Sequence, residues 1–204
     1  FANLPGAPQG CAHNVAAADL DGDSDMDIAL AMGGLCGAKQ ENVVLIKDGR
    51  GVLSPFVLAG IRRWSQGLAI GDLNGDALPE LVFGALQDPP ELWINLGGGI
   101  FADGSSLLPQ GASDTMSVAI LDIDGDGMND IAAGVLRAGT FSVEAYMNRP
   151  GQGYLLDATA IAPLAVQAYY LQPSDMDRDG DRDLVVGGHV APSATRLGLK
   201  VFPQ

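Results

Sequence analysis

Short apolar runs alternate with acidic turns along the whole chain, and the alternation has a fixed order. An apolar run (residues 15–18, 68–70, 118–121 and 169–171) leads into an acidic turn, and a second, glycine-punctuated run follows it (28–32, 81–84, 131–134 and 184–188). Runs this short, rich in Val and Ile and bounded by glycine, read as strands buried on both faces. A third, alternating segment comes next at 43–46, 92–94, 143–146 and 199–202. Glycine-rich turns at 95–101 and 148–154 then lead to a fourth strand, which opens at Leu53, Phe101 and Tyr154. No stretch carries a convincing helical period, and the 28 Gly and 12 Pro argue against one. None of the apolar runs is long enough to cross a membrane as a helix.

The acidic turns begin at Asp19, Asp72, Asp122 and Asp175, in steps of 53, 50 and 53 residues. A repeat of about fifty residues holding four antiparallel strands is a propeller blade. The expected architecture is all-β: one domain over residues 1–204, a β-propeller of four four-stranded antiparallel blades. Phe1 stands before the first turn as Leu53, Phe101 and Tyr154 stand before the next ones. The N-terminal strand is therefore expected to complete the last blade, whether within one chain or between two, and so to remove an exposed sheet edge.

Charge sharpens this picture. The formal net charge is −14, yet 17 of the 25 acidic residues lie in the four turns, and the remainder of the chain is close to neutral. Concentrating like charge in ten-residue loops is unfavourable unless a cation collects it. Hard oxygen donors on a tight loop suit Ca²⁺, which takes six to eight oxygens, so up to four calcium ions are expected. An EF-hand would need a bidentate Glu at the twelfth place; here that place holds Leu30, Phe83, Ala133 and Val186. With no basic stripe to neutralise phosphates, nucleic-acid binding is not expected.

The pattern D-x-D-G-D-x-x-x-D followed by an apolar residue, as in Asp122-Ile123-Asp124-Gly125-Asp126-Gly127-Met128-Asn129-Asp130-Ile131, resembles the FG-GAP/VCBS repeats of integrin-α-type β-propellers. That resemblance implies Ca²⁺ held by side chains at places one, three, five and nine and by the backbone carbonyl at place seven. Carried over, the ligands are Asp19, Asp21, Asp23, Asp25 (carbonyl) and Asp27, then Asp72, Asn74, Asp76, Leu78 (carbonyl) and Glu80. The third set is Asp122, Asp124, Asp126, Met128 (carbonyl) and Asp130, and the fourth is Asp175, Asp177, Asp179, Asp181 (carbonyl) and Asp183. The sixth place wants glycine because the loop turns there with positive φ. Gly127 and Gly180 comply; Ser24 and Ala77 do not, at a cost of about 1 kcal/mol each. The second loop also has Asn74 and the longer Glu80, and ranks as the weakest site. The metal is expected to be structural, pinning the hairpin between the two inner strands.

Cys11 and Cys36 flank the first loop at similar distances, so a hairpin would set them face to face. A disulfide is expected, and with it an oxidising, secreted or cell-surface location. Catalytic constellations are thin: His13 and His189 sit in no nucleophile or zinc motif, and Ser65 and Ser117 show no G-x-S-x-G elbow. Nothing pairs the carboxylates outside the loops (Glu41, Glu91, Asp114, Glu144, Asp157), so a hydrolase or lyase is the lesser reading and no enzyme is expected. The ring face opposite the calcium loops collects Arg62, Arg63, Trp64, Arg137, Tyr169 and Tyr170, with Gln66, Met116 and His189 nearby. Arginine and aromatic side chains are common anchors of recognition, and the resemblance points to adhesion or lectin-like binding. The expected function is a secreted, calcium-stabilised module for a protein or glycan partner, with no membrane insertion. The alternative is a structural unit that assembles with copies of itself through open blade edges.

Overall fold

A computed structural model describes residues 10–33, 37–60, 62–111, 113–161, 166–190 and 197–202. They form antiparallel sheets that follow the repeat. The first sheet runs β1 (Ala12–Ala18), β2 (Asp27–Met32), β3 (Val43–Lys47) and β4 (Leu53–Val57). The second runs β5 (Trp64–Gly71), β6 (Glu80–Leu86), β7 (Glu91–Asn95) and β8 (Phe101–Asp103), and is followed by a single 3₁₀ turn at Ser105–Leu107. The third runs β9 (Asp114–Leu121), β10 (Asp130–Arg137), β11 (Thr140–Arg149) and β12 (Gly153–Asp157). The fourth has three described strands, β13 (Val166–Ser174), β14 (Asp183–Val190) and β15 (Leu197–Phe202). Its expected completion by the strand at 1–4 lies outside the described residues.

Every sheet is a meander of neighbours in sequence, so each is one blade of a four-blade propeller. The first strands of the blades are the innermost. β1, β5, β9 and β13 together line a central opening of about 280 Å³, with Ala17, Ala69, Ala119 and Gln172 among its walls. The core lies between blades. Leu20, Val44 and Leu58 of blade 1 pack with Leu81, Phe83 and Trp93 of blade 2; Val82 and Leu92 pack with Ile131 and Tyr146 of blade 3; Leu121 and Val143 pack with Leu184 and Val186 of blade 4. This is why the second strands read as continuous apolar runs: both of their faces are covered.

The pairing register has a feature that the strand pattern does not announce. Each inner strand carries a β-bulge at the same place, with His13, Gln66, Met116 and Tyr169 as the unpaired extra residues, again 53, 50 and 53 positions apart. A bulge twists its strand and re-aims the side chains around it. Next to the bulge, adjacent blades approach backbone to backbone. A Cβ built on Gly84 would stand 2.7 Å from the Thr115 carbonyl oxygen, and one on Gly134 would stand 2.5 Å from that of Ala168. Only glycine fits there.

Candidate metal centres

Each acidic loop joins the first strand of its blade to the second and is wound by its own carboxylates. At the first place, Asp19 accepts the backbone N–H groups of Gly22 and Ser24 at 2.7 and 2.9 Å. Asp72 takes Gly75 and Ala77 in the same way, and Asp122 takes Gly125 and Gly127. The third-place residue accepts from the fifth-place N–H in every loop (Asp21, Asn74, Asp124 and Asp177). The fifth-place residue accepts from the seventh (Asp23, Asp76, Asp126 and Asp179). The turn at place six has the positive φ expected of it, at 72° for Ser24, 68° for Ala77, 87° for Gly127 and 102° for Gly180. Arg178, at the fourth place of the last loop where the other three have glycine, is also left-handed, at 68°.

The ninth place does a second job. Asp27, Glu80, Asp130 and Asp183 are buried, and one oxygen of each accepts the second-place N–H of its own loop, from Leu20, Leu73, Ile123 and Met176 respectively. In the first three blades the other oxygen reaches the third strand, accepting the N–H of Lys47 at 2.7 Å, Asn95 at 3.3 Å and Asn148 at 2.7 Å. The carboxylate thus ties loop, second strand and third strand together.

Three loops bring carboxylates from places one, three and nine into one cluster: Asp19, Asp21 and Asp27; Asp122, Asp124 and Asp130; and Asp175, Asp177 and Asp183. One oxygen from each residue lies within 4.8 Å of the others in its group. Burial pushes Asp21, Asp130 and Asp177 above the usual carboxylate value, and the neighbouring carboxylates push the same way against backbone N–H bonds that lower it. Three converging hard oxygens on a glycine-turned loop fit a divalent cation such as Ca²⁺. Bound there, the ion would supply the positive charge that these clusters lack. The fifth-place residues Asp23, Asp126 and Asp179 stand outside the three-residue clusters.

The second loop differs. Its third-place amide donates to Asp76 at 3.1 Å and to Glu80 at 3.3 Å, so Asn74 satisfies carboxylates that a cation would otherwise meet. Basic side chains also reach two of the other loops. Lys47 bonds Asp25 at 2.7 Å, and Arg149 bridges Asp124 at 2.9 Å and Asp126 at 3.5 Å.

Side-chain amides that the sequence reading passed over link one loop to the next. Asn95 donates to the Leu20 carbonyl at 2.9 Å and to that of Pro79 at 3.2 Å. Asn148 donates to the Leu73 carbonyl at 2.7 Å and to that of Asn129 at 3.1 Å. Their shared signal is position: Asn95 is the last residue of the third strand of its blade and Asn148 the last but one.

The residues expected on the opposite face separate into two groups. Arg62 is largely exposed, 3.7 Å from Glu41; Trp64 lies under the Lys39 ammonium at 5.1 Å; and Tyr169 meets His189 edge-on at 5.4 Å, with Tyr170 exposed beside it. Arg137 is half-buried and bonded to Glu144 through two contacts of 3.2 Å. Arg63 requires a correction. It is 6% exposed, and its guanidinium is held by Glu91 at 2.6 Å and the Pro89 carbonyl at 2.7 Å. Asn42 and Trp93 complete the shell around Glu91, so Arg63 belongs to the seam between blades 1 and 2 rather than to a recognition surface. Cys36 lies outside the described residues, and with it the expected pairing to Cys11.

A family profile described as an FG-GAP-like repeat matches residues 72–133, from the second loop through the third. The chain is an FG-GAP-like repeat protein. It is 32% identical over 171 residues to integrin alpha-7 of Homo sapiens, a match that covers 71% of this chain and 14% of that relative. The matched span contains two of the four acidic loops described above, running from the loop of blade 2 into the second strand of blade 3. Among the described residues no helix is long and apolar enough to cross a membrane.

Proposed function

We propose that the chain is a secreted or cell-surface adhesion-type module whose FG-GAP-like blades are stabilised by structural Ca²⁺ and which binds a protein or glycan partner. The observation that carries this reading is the convergence of three carboxylates in each of the first, third and fourth loops, in a chain that is otherwise nearly neutral. The second loop is a fourth, weaker site. With both oxygens of the ninth-place carboxylate engaged by backbone N–H groups in the first three blades, the metal acts by holding hairpins together rather than by opening a position for chemistry. A Cys11–Cys36 bridge closing the first hairpin belongs to the same extracellular reading.

Partner binding falls to the face opposite the loops, where Arg62, Trp64, Tyr169 and Tyr170 offer planar and aromatic groups. The integrin alpha-7 match supports a role in adhesion. The test is binding of the calcium-loaded chain to immobilised matrix proteins and to a glycan array, with Trp64→Ala and Tyr169→Ala variants alongside. Binding that is lost in both variants while calcium content is unchanged supports the assignment. Binding that both variants retain would move the partner site elsewhere.

A further inference from the structure

Three of the acidic loops hold a carboxylate at the third place, where Asp21, Asp124 and Asp177 complete the clusters described above. The second loop holds Asn74 there, and among the described residues it forms no such cluster. The Asn74 Nδ2 donates to Asp76 Oδ2 at 3.1 Å and to Glu80 Oε1 at 3.3 Å, while its Oδ1 accepts the Asp76 N–H at 2.9 Å. One amide thus puts its two donors between carboxylates that would otherwise repel each other.

Asn74 is also the only asparagine of the chain that glycine follows. Asparagine is among the chemically labile residues: the backbone nitrogen of the next residue can attack its side-chain carbon, most readily where that nitrogen is uncrowded. Gly75 has no side chain, and nothing lies within 4 Å of its Cβ position. Both residues are exposed. Asp72 Oδ1 accepts the Gly75 N–H at 2.7 Å, so the proton that the nitrogen gives up has an acceptor in place. The other described asparagines lack this combination. Asn14 is exposed but precedes Val15, whose β-branched side chain crowds the nitrogen. Asn42 and Asn95 are buried, and Asn129 and Asn148 are half-buried with their amides bonded to main-chain carbonyls.

We propose that Asn74 is a site of spontaneous deamidation, and that its conversion to aspartate gives the second loop the all-carboxylate side-chain set of the other three. The Gly75 nitrogen bonds to Asn74 Cγ, the Cγ–Nδ2 bond breaks, and ammonia leaves with the proton that Gly75 gave up, closing a cyclic imide. Water then opens the ring, its hydroxyl going to a carbonyl carbon and its proton to the nitrogen. Addition at Cγ restores the main chain with aspartate; addition at the main-chain carbonyl carbon leaves isoaspartate, with the chain routed through Cγ. Aspartate at this place removes both donors from Asp76 and Glu80 and sets a third carboxylate against them. A loop that satisfied itself then requires a cation, and in calcium loops the ligand charge tunes affinity. The gain in calcium binding rests on the structural-calcium reading above; the deamidation does not.

The experiment is incubation of the full chain with EGTA in warm, mildly alkaline buffer, followed by peptide mass mapping with Asn14 as the internal reference. The mass gain of an amide-to-acid change is expected to appear with time, and fragmentation is expected to place it at residue 74 and not at residue 14. In parallel, calcium is titrated into wild type and into Asn74→Asp, which carries the aspartate product from the start. The variant is expected to bind calcium at its weakest site on the order of tenfold more tightly, with the remaining sites unchanged. An Asn74 that keeps its amide as long as Asn14 does would overturn the proposal, and so would an Asn74→Asp chain that titrates as the wild type does. If neither chain binds calcium at any loop, the structural-calcium reading falls with it.

Discussion

The side-chain amide of Asn148 donates to the main-chain carbonyl of Leu73, 75 residues earlier, at 2.7 Å. Asn95 stands in the same relation to Leu20, also 75 residues earlier, at 2.9 Å. Each amide starts at the end of a third strand and reaches the acidic loop of the blade before it, so the loops form a linked series. Asn148→Ala would take one donor from the Leu73 carbonyl, which keeps the Tyr154 hydroxyl at 3.2 Å, and one from the half-buried Asn129 carbonyl, a loss of about 1 kcal/mol. The expected outcome in urea unfolding is a lower midpoint with an unchanged slope.

The ninth-place carboxylate separates metal binding from hairpin closure. Asp130 accepts N–H groups from Ile123 and Asn148 and belongs to the third carboxylate cluster, whereas Asp126 accepts from Met128 and stands outside that cluster. Asp130→Asn removes one buried acceptor, at about 1–3 kcal/mol, and is expected to lower the melting temperature both with calcium and with chelator. Asp126→Asn, at the fifth place carried over as a ligand, is expected to lower it mainly in calcium, since without the ion it loses only an exposed pairing with Arg149.

Gly134 meets the Ala168 carbonyl so closely that Gly134→Ala must push two blades apart. Overpacking of this kind costs about 1–3 kcal/mol. Denaturant unfolding of Gly134→Ala is expected to show that loss. Gly139→Ala is the control for bulk: nothing lies within 4 Å of its Cβ position, although its φ of 79° adds local strain.

The Arg63–Glu91 pair is buried at the seam between blades 1 and 2. Removing one partner of a buried pair leaves the other charge uncompensated, at about 3–5 kcal/mol. Arg63→Ala is therefore expected to destabilise the fold strongly. Arg62→Ala, next to it in sequence but exposed, is expected to change stability by less than about 1 kcal/mol. Thermal melting of the two variants side by side tests the contrast.

Much of this was legible in the chain because the repeat is written in chemistry that few other structures require. Carboxylates at alternate places, with glycine between, specify a loop, and apolar runs on either side specify its hairpin. The bulges were hidden because one extra residue in β1 or β5 changes neither composition nor apolar content, only register. Gly84 and Gly134 read as punctuation, since the carbonyls they accommodate come from strands 31 and 34 residues later. Arg63 read as a surface anchor because it sits beside exposed Arg62. Its partner Glu91 is 28 residues away and meets it only once two blades have packed. Asn95 and Asn148 look like ordinary turn residues until the loop they reach is known.

The central claim is that the acidic loops hold structural calcium, and thermal unfolding with Ca²⁺ and then with excess EGTA tests it most directly, run beside elemental analysis of bound calcium. The expected result is three to four ions per chain and a fall in melting temperature on the order of 10 °C or more on chelation, since each saturated site adds a few kcal/mol to the folded state. An unchanged melting temperature with no bound calcium would contradict the claim and leave the four loops as acidic turns held only by their own hydrogen bonds.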